Sequence, residues 1–400
     1  MLRRTFLGTV AGGLAAPYVA RAASVPGVTK DSIKIGQTMP YSGPASAYGV
    51  IGTTEQAFMK MLNAPGGING RKIDLMSADD GYSPPRTVEE TRRLVESEGV
   101  AFMYQGLGTP TQSAVHRYLN QKKVPQLFVS TGAEKWADPK HFPWTIGWQP
   151  SYRIEAAIYA RHLVAANPSA KLAVLYQNDD FGKDYLTGLH DGLGAKYDAM
   201  VVKSVSYEVT DPTVDSQIVT LQTSGADALL VVATPKFAAQ AIKKVAEIGW
   251  HPAQFYLTNV SLSASAVMIP AGAENGKGIM SGAYLKDQTD PQWANDAGMN
   301  QLRAWAKQWA PDADLANSNV VFAYGNALTL KKVLEQCGDD LSRENIMHQA
   351  ASLHELDIPV LLPGIKVNTS PTDFHPISQL QLAKWSGSAW QLFGDVLSGA

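Results

Sequence analysis

The chain has 400 residues, 45% of them hydrophobic and 18% charged, and a formal net charge of -2. This length exceeds that of one typical hydrophobic core, so two domains are expected, and the near-neutral charge gives no indication of a nucleic-acid partner. The single cysteine, Cys337, excludes an internal disulfide and a cysteine-rich metal site. Its position at the end of a helical pattern predicts a buried, inert thiol.

The N-terminus has the pattern of an export signal. Arg3 and Arg4 precede a Gly/Ala-rich, mildly apolar run that ends at Ala20, with small residues at Ala22 and Ala23. This order predicts a cleaved signal peptide over residues 1–22, by either the twin-arginine or the Sec route. No later apolar run approaches the roughly 20 residues of a membrane span. We therefore expect a soluble protein outside the cytoplasm.

The first element after the signal is a strand followed by a loop of small residues. Strand-like alternation covers Ile33–Gly36, a Ser/Gly/Pro/Ala-rich loop follows, and Gly49 leads into a helical pattern over Thr53–Leu62. Small residues let a ligand approach the backbone closely. The start of a helix leaves amide N–H groups free for an anion or a carboxylate. This segment therefore predicts one wall of a binding site.

Apolar strands then alternate with amphipathic helices. A strand over Lys72–Asp80 is followed by a helix that Ser83 and Pro84 open, and the alternation continues to a strand that ends at Ser130. The same layout begins again with a strand over Lys171–Gln177. The sequence thus predicts two α/β units of about 120 residues, each with a parallel sheet.

Breaker-rich segments link the two units. In Phe142–Tyr152, Trp148 is interpreted either as part of a packed crossover strand, which is favoured, or as a residue that borders a cleft. A second crossover is predicted after Gly276. The elements predicted beyond it are helices over Gln292–Trp309 and Asn319–Gln336, and strands near Ile365–Val367 and Ile377–Trp385 with a hairpin turn at Ser386–Ser388.

Signatures of catalysis are not found in the sequence. The eight histidines have no metal-ligand spacing, and there is neither a nucleophile elbow nor a phosphate loop. Gly106–Thr111 follows a strand and opens a helix, but it lacks the third glycine of the dinucleotide fingerprint. We therefore predict no enzyme activity, no metal and no cofactor.

Several loops leave the carboxyl ends of predicted strands, which is the edge where ligands lie in open α/β sheets. Their hydroxyl and amide groups would converge there with two aromatic side chains, to bind a small polar group and an apolar body. The loops, drawn from both units, are Ser42–Tyr48, Gly106–Thr111, Ser130–Glu134, Asn178–Phe181 and Thr258–Ser261.

The segments IKIGQTMPYSGPASAYG, GGINGRK, GTPTQSAV and NDDFG, in this order, resemble the branched-chain amino acid (Leu/Ile/Val) binding proteins of ABC importers. The resemblance covers essentially the whole mature chain. It implies a type I periplasmic-binding fold, in which two Rossmann-like α/β lobes with parallel sheets are joined by three crossovers. The lobes would be residues 31–148 with 281–357, and 149–280 with 358–400.

The resemblance also implies a role and a set of site residues. The protein would be a monomeric receptor in the periplasm that closes on a small molecule and delivers it to an inner-membrane ABC permease and its ATPase. Tyr48 matches the site tyrosine, and Phe181 an aromatic residue that packs on the ligand. The amides and hydroxyl of a loop would hold the ligand carboxylate, and this loop comprises Ser130, Thr131, Gly132 and Ala133. Gly108 and Thr109 belong to the neighbouring loop.

Two departures from the family pattern concern the ligand. Asn259 stands where the family has an acidic partner for the ligand's α-ammonium group, and Glu134 stands where it usually has a small hydroxyl residue. A carboxylate at Glu134 would repel a ligand carboxylate unless it is turned away. The family's disulfide is also missing, since Tyr82 and Leu107 occupy its positions.

These departures predict a ligand other than a standard aliphatic amino acid. An aromatic or other organic acid would stack on Phe181, Tyr48 and Trp148, with Arg153 as the cation, although a surface position is the favoured interpretation of Arg153. Alternatively, Glu134 replaces the missing acid and the ligand is an amine or an amide. A sensor for a membrane kinase or chemoreceptor would have the same fold, and an enzyme is the least favoured class.

Overall fold

The computed structural model describes residues 25–399, which form two α/β lobes, each built on its own sheet. The predicted signal peptide, residues 1–22, lies outside the described residues. Within residues 25–399, no helix combines the length and the apolar character that a bilayer span requires.

The sheet of the first lobe has five parallel strands. Their order across the sheet is β2-β1-β3-β4-β5, and three helices connect them. The strands are β1 Ser32–Met39, β2 Lys72–Asp79, β3 Met103–Tyr104, β4 Gln126–Val129 and β5 Thr145–Gly147; the helices are α1 Gly49–Asn63, α2 Pro84–Arg92 and α3 Thr109–Gln121.

After β5 the chain enters the second lobe. Its elements in chain order are α4 Tyr152–Ala166, β6 Leu172–Gln177, α5 Asp180–Leu193, α6 Tyr197–Met200, β7 Val201–Tyr207, α7 Asp215–Gln222, β8 Ala228–Val232, α8 Pro235–Glu247, β9 Gln254–Leu257 and β10 Met280–Ala283. These five strands pair in parallel, in the order β10-β9-β8-β6-β7. Residues of β6 and β8 are almost all buried, as expected for parallel strands covered on both faces.

The chain then returns to the first lobe through α9 Ala297–Trp309, α10 Ser318–Cys337 and α11 Arg343–Ala350. Phe58 of α1 packs on Trp305 and Tyr324, with ring centroids 6.2 and 5.5 Å apart. A last pair of strands, β11 Gln379–Trp385 and β12 Trp390–Ser398, joins the second sheet as an antiparallel hairpin. The two-lobe fold with parallel-rich sheets and three crossings is thus confirmed.

Several local predictions differ from the structure. Residues 281–283, expected in the first lobe, belong to β10 and pair with β9 and β11 of the second sheet. No strand forms over residues 365–367, where Val367 makes only an isolated bridge to Leu356. The predicted hairpin turn at Ser386–Ser388 is confirmed, and Cys337 is buried, which raises the pKa of its thiol to about 12.

Two of the three crossings run side by side. Leu285 and Leu361 form an antiparallel bridge. The Lys286 amide donates to the Val360 carbonyl at 2.9 Å, and the Leu362 amide donates to the Tyr284 carbonyl at 2.9 Å. Residues 284–286 and 360–362 therefore form a short two-stranded connection between the lobes, which we call the hinge ribbon.

Candidate ligand-binding site

A cavity of about 780 Å³, including its mouth, lies between the lobes. Its walls come from the carboxyl ends of strands in both sheets, from helix N-termini and from the hinge ribbon, as in ligand sites of open α/β sheets.

Aromatic side chains form most of the apolar wall. Those that line the cavity are Tyr48, Tyr82, Tyr152, Phe181, Tyr284 and Phe322, together with Ile51, Leu107, Val260, Leu262 and Leu285. The Tyr152 and Phe181 rings pack on each other with centroids 4.7 Å apart. The Tyr48 hydroxyl donates to the Val260 carbonyl at 3.1 Å, which links a first-lobe side chain to the second lobe. The cavity is therefore shaped for a flat or bulky apolar body.

Helix N-termini from both lobes open onto the same cavity. The cap or first-turn residues that line it belong to α1, α3, α4, α5, α8 and α10. Helix α1 continues directly from a 3-10 turn at Ser46–Tyr48 and has no side-chain cap. Side chains cap three of these helices: Ser151 at α4, Asp179 at α5 and Asn317 at α10. The N-termini of α3 and α8, capped by Gly108 and Thr234, have no side-chain cap. Apart from Pro110 and Pro235, which have no N–H, their first-turn amides are available to an anion, which the helix dipole also favours.

Gly108 is required at the start of α3. Its φ of 102° lies in the left-handed region, and a Cβ there would lie 2.5 Å from the Tyr82 ring. Thr109, the next residue, lines the cavity, and its hydroxyl lies 2.6 Å from the Thr131 hydroxyl. Ser130, which follows β4, lines the cavity beside them.

The charged residues of the wall are Lys286 and Asp287. Lys286 donates to both oxygens of Asp296 and to the Pro359 carbonyl, each at 2.9 Å, so its three donors are used. Asp287 accepts from the backbone and the hydroxyl of Thr289 through Oδ1, and burial raises the pKa of its carboxyl. The lining residues therefore present no unpaired cation to a ligand.

Asn259 lies on the second-lobe wall and is held by a buried acid. Its backbone amide donates to Glu155 Oε1 at 2.8 Å, and its side-chain Nδ2 donates to Glu155 Oε2. Glu155 is fully buried in α4, and this burial raises the pKa of its carboxyl to about 7. The neutral residue expected at this position is thus backed by a carboxyl group that does not itself line the cavity.

Half of the predicted site residues line the cavity: Tyr48, Gly108, Thr109, Ser130, Phe181 and Asn259. Thr131, Gly132 and Ala133 do not, because Tyr152 covers their loop. The Tyr152 amide donates to the Gly132 carbonyl at 2.8 Å, and the Tyr152 ring packs on Gly132, where an added Cβ would lie 2.9 Å from ring carbons. The loop that the family resemblance assigned to the ligand carboxylate is therefore covered by the Tyr152 ring.

Glu134, Trp148 and Arg153 also lie away from the cavity. Glu134 is turned outward, accepts from the Ser151 hydroxyl and pairs with His375 at 3.2 Å; this pair lowers the pKa of the Glu134 carboxyl. Trp148 is fully buried and donates to the Thr329 hydroxyl at 3.0 Å, which is the packed arrangement. Arg153 is paired with Asp191 at 2.5 Å on the surface of α4, so it does not provide the expected cation.

The structure adds residues that the sequence analysis did not select. They include Gln149, Thr234, Tyr284–Asp287, Ser318, Asn319 and Phe322 at the cavity, with Glu155 behind it. The positions just after β10 and at the start of α10 follow the rule that strand ends and helix starts form such sites, and could have been found by it. Glu155 gives no local signal, since it falls within an ordinary helical pattern.

A two-lobe α/β fold with a lined cavity between the lobes and three chain crossings defines a solute-binding protein of the clamshell type. Among residues 25–399, no cluster of His, Cys, Asp and Glu has the arrangement of a metal site. A sequence model of the family described as periplasmic binding protein matches residues 32–389, and the chain belongs to this family. Its members are binding proteins rather than enzymes.

Curated relatives match only part of the chain. An amino acid binding protein from Pseudomonas aeruginosa is 25% identical over 186 residues, which are 44% of this chain and 46% of that protein. The Leu/Ile/Val-binding protein homolog 3 from Brucella melitensis is 24% identical over 188 residues, 45% of this chain and 48% of that protein. The matched segment thus spans about half the length of these relatives.

Solved structures match nearly the whole fold. A substrate-binding periplasmic protein from Ralstonia solanacearum has a TM-score of 0.81 at 22% identity, covering 90% of this chain and 100% of that chain. A solute-binding protein of an ABC transporter from R. palustris, in complex with 4-hydroxybenzoate, has a TM-score of 0.76 at 17% identity, covering 92% and 97%. A second R. palustris protein, in complex with benzoate, has 0.74 at 17%, covering 92% and 98%. At these identities the likeness concerns the fold.

Proposed function

We propose that the chain is the exported solute receptor of an ABC importer and closes its two lobes on a small aromatic or other organic carboxylate in the periplasm. One observation carries this proposal: six aromatic side chains line an interlobe cavity onto which the uncapped N-termini of α3 and α8 open. The aromatic wall fits a flat apolar body, and the helix ends fit an anion.

The carboxylate is best accommodated at the start of α3. The Thr109 amide belongs to the unpaired first turn, and Ser130 adds a hydroxyl on the adjacent strand end. A helix N-terminus carries about half a positive charge, which replaces the missing free cation. The loop at Thr131–Ala133, covered by Tyr152, is unsuited to this role.

The neutral Asn259 argues against a zwitterionic aliphatic amino acid. A carboxylate at this position would pair with an α-ammonium group, whereas an amide gives a hydrogen bond without the ion pair. The similar proteins include two kinds: amino acid binding proteins, and receptors in complex with benzoate or 4-hydroxybenzoate. The aromatic wall and Asn259 favour the second kind for this chain.

Asp287 supports a second candidate ligand, one that carries an amino group. It is the acidic residue of the cavity wall, and within residues 25–399 its side chain accepts hydrogen bonds only through Oδ1, which leaves Oδ2 for an ammonium group. Glu134, the acid that the sequence analysis offered for this purpose, is turned away from the cavity. An amine-binding receptor would therefore depend on Asp287.

Calorimetric titration of the purified protein with benzoate, 4-hydroxybenzoate, benzamide and leucine tests the ligand class. We expect the two acids to bind about 10-fold more tightly than benzamide, which keeps the ring but lacks the charge, and about 10-fold more tightly than leucine, which keeps a carboxylate but lacks the ring, since each difference is worth about 1.5 kcal/mol. Asp287→Asn is the matched control and should leave the affinity for the acids unchanged. If leucine binds tightly and Asp287→Asn abolishes this binding, the ligand is an amino acid and the proposal of an aromatic or other organic carboxylate is wrong.

The transport role is tested in cells. Deletion of the gene should abolish high-affinity uptake of the radiolabelled acid that binds in vitro, and expression of the full chain should restore it. Unchanged uptake, with loss of a transcriptional or chemotactic response to the same acid, would assign the protein to sensing. Adjacent genes for a permease and an ATPase would support the importer.

A further inference from the structure

We infer that Glu155 orients the Asn259 amide so that its carbonyl oxygen meets a neutral hydrogen-bond donor of the ligand, which makes a hydroxylated aromatic carboxylate the preferred ligand class. This inference rests on the proposed function and deepens it. Glu155 is a positioning residue here, because it acts on the ligand only through Asn259.

The geometry leaves one side of the Asn259 amide for the ligand. Glu155 receives the Asn259 backbone amide on Oε1 and the side-chain Nδ2 on Oε2. A rotation of the amide by 180° would bring Asn259 Oδ1 against Glu155 Oε2, and two acceptors would then face each other. Nδ2 is committed to Glu155, and Oδ1 makes no hydrogen bond to residues 25–399, while Asn259 lines the cavity.

The other oxygen of Glu155 is also fixed. Tyr159, one turn further along α4, donates its hydroxyl to Oε1, and α5 contributes Tyr185 beside the same carboxyl. The remaining titratable groups near it are Tyr152 and Tyr284, and burial raises the pKa of both phenols. Glu155 thus faces phenols, amides and no cation, so a carboxylate has no charge partner there and acts as an acceptor of hydrogen bonds.

The two ends of the cavity therefore differ in polarity. The start of α3 offers donors on the first-lobe wall, and Asn259 Oδ1 offers an acceptor on the second-lobe wall. A ligand that satisfies both has a carboxylate at one end and an O–H at the other, separated by an apolar ring. A methoxy group at the same ring position cannot donate and would leave Oδ1 desolvated and unpaired.

The test compares the three hydroxybenzoate isomers with their methoxy analogues and with benzoate, by calorimetry. In the wild type we expect the best hydroxy isomer to bind about 10-fold more tightly than its methoxy analogue, which corresponds to one hydrogen bond to an acceptor that the bound ligand covers. Asn259→Leu should reduce this ratio to about 1.

Glu155→Gln separates positioning from direct contact. Glutamine has the shape of glutamate but can donate from one side, which allows the Asn259 amide to turn, so the hydroxy-to-methoxy ratio should fall to about 2 or less. Ser261→Ala is the matched control, since it removes a buried hydrogen bond to the Ala233 carbonyl in the same loop and leaves Glu155, its phenol neighbours and the Asn259 amide in place. This control should keep the full ratio.

The pH dependence of the hydroxy-to-methoxy ratio in the wild-type protein tests the inference even if the variants fail to fold. Between about pH 5.5 and pH 8 the probes keep an ionised carboxyl and a neutral phenol. Protonation of Glu155 turns Oε2 from an acceptor into a donor that matches Oδ1 of the rotated amide, so the ratio should be larger at the higher pH. The burial-raised pKa of Glu155 lies within this interval.

The outcomes are distinct. If no aromatic acid binds, the proposed function fails and the inference fails with it. If the acids bind but Asn259→Leu leaves the ratio unchanged, the inference alone is overturned. If Asn259→Leu abolishes the ratio while Glu155→Gln and pH leave it intact, Asn259 contacts the ligand without being oriented by Glu155, which overturns the positioning role.

Discussion

Polar groups inside the cavity and polar groups at its rim, which we define as Glu134, Lys135, Asp180 and Asp184, differ in whether they have protein partners. In the interior, the first turns of α3 and α8 have no side-chain cap, and Asn259 Oδ1 has no partner in the described chain. At the rim, polar groups are paired across the lobes: Lys135 contacts Asp180 at 2.5 Å, and the Glu134 amide donates to Asp184 at 2.8 Å.

Under the proposed function, this difference assigns ligand selection and lobe closure to separate groups. Groups left without protein partners would select the ligand, since only a matching molecule satisfies them. Groups paired between the lobes would stabilise a closed arrangement equally for every ligand. One loop contributes to both tasks, because Ser130 lines the cavity while Glu134 and Lys135 lie at the rim.

The largest expected effect comes from the aromatic wall. Phe181→Ala should weaken binding of an aromatic acid about 100-fold, because it removes the ring that packs beside the ligand and on Tyr152. It should also lower the stability of the unliganded protein by about 3 kcal/mol, since Phe181 is buried. Calorimetry and thermal unfolding measure the two effects.

Phe142→Ala is the matched control, because its ring stacks on His116 with centroids 4.0 Å apart and does not line the cavity. This variant should lose stability but keep its affinity. If both variants bound equally well, Phe181 would belong to the core alone.

The second expected effect is a pH dependence of stability set by Glu155. Its folded pKa, about 7, lies above that of a free glutamate, so the folded protein loses stability as pH rises from about 4.5 to about 7. Glu155→Gln removes this dependence. Relative to wild type, its free energy of unfolding should therefore rise by about 2 to 3 kcal/mol between pH 5 and pH 8.

Urea unfolding at several pH values gives this comparison, with the exposed Glu247→Gln as control for general effects of pH. A difference between wild type and Glu155→Gln that did not vary with pH would mean that the buried carboxyl keeps an ordinary proton affinity. The larger hydroxy-to-methoxy ratio expected at higher pH would then lose its physical basis.

The smallest expected effect belongs to the rim. Lys135→Met removes an ion pair that is partly exposed, so the affinity should fall by no more than about threefold, and by the same factor for every ligand. The ratio between hydroxy and methoxy acids should not change. Small-angle scattering should show compaction on ligand binding in both wild type and variant; a changed ratio would contradict the separation of selection from closure.

The sequence predicts the architecture well because each element has a local cause. Alternating apolar strands and amphipathic helices indicate the two parallel sheets, and the rule on strand ends brings Tyr48, Ser130, Phe181 and Asn259 to one edge. Asp287 and Asn319 reach the cavity only after the chain has returned from the second lobe. Their position at the cavity depends on how the three crossings pack, which the local sequence does not specify.

The remaining errors concern the surroundings of single side chains. The loop Thr131–Ala133 has the composition of a carboxylate site, but Tyr152 of the next helix covers it. Arg153 and Glu134 have the right charges, but each finds a partner outside the cavity. Glu155 was missed because a buried glutamate and an exposed one look alike within a helical pattern.

The hinge ribbon has a consequence for how cargo size is sensed. Tyr284, Leu285 and Lys286 belong to the ribbon and also line the cavity. If the lobes close by rotation about this ribbon, as proposed, a bound molecule contacts the hinge as well as both lobes. The angle between the lobes should then depend on the width of the bound molecule. A permease that binds only one interlobe angle would accept the receptor with a well-fitting ligand and reject it with a poorly fitting one, without contacting the ligand.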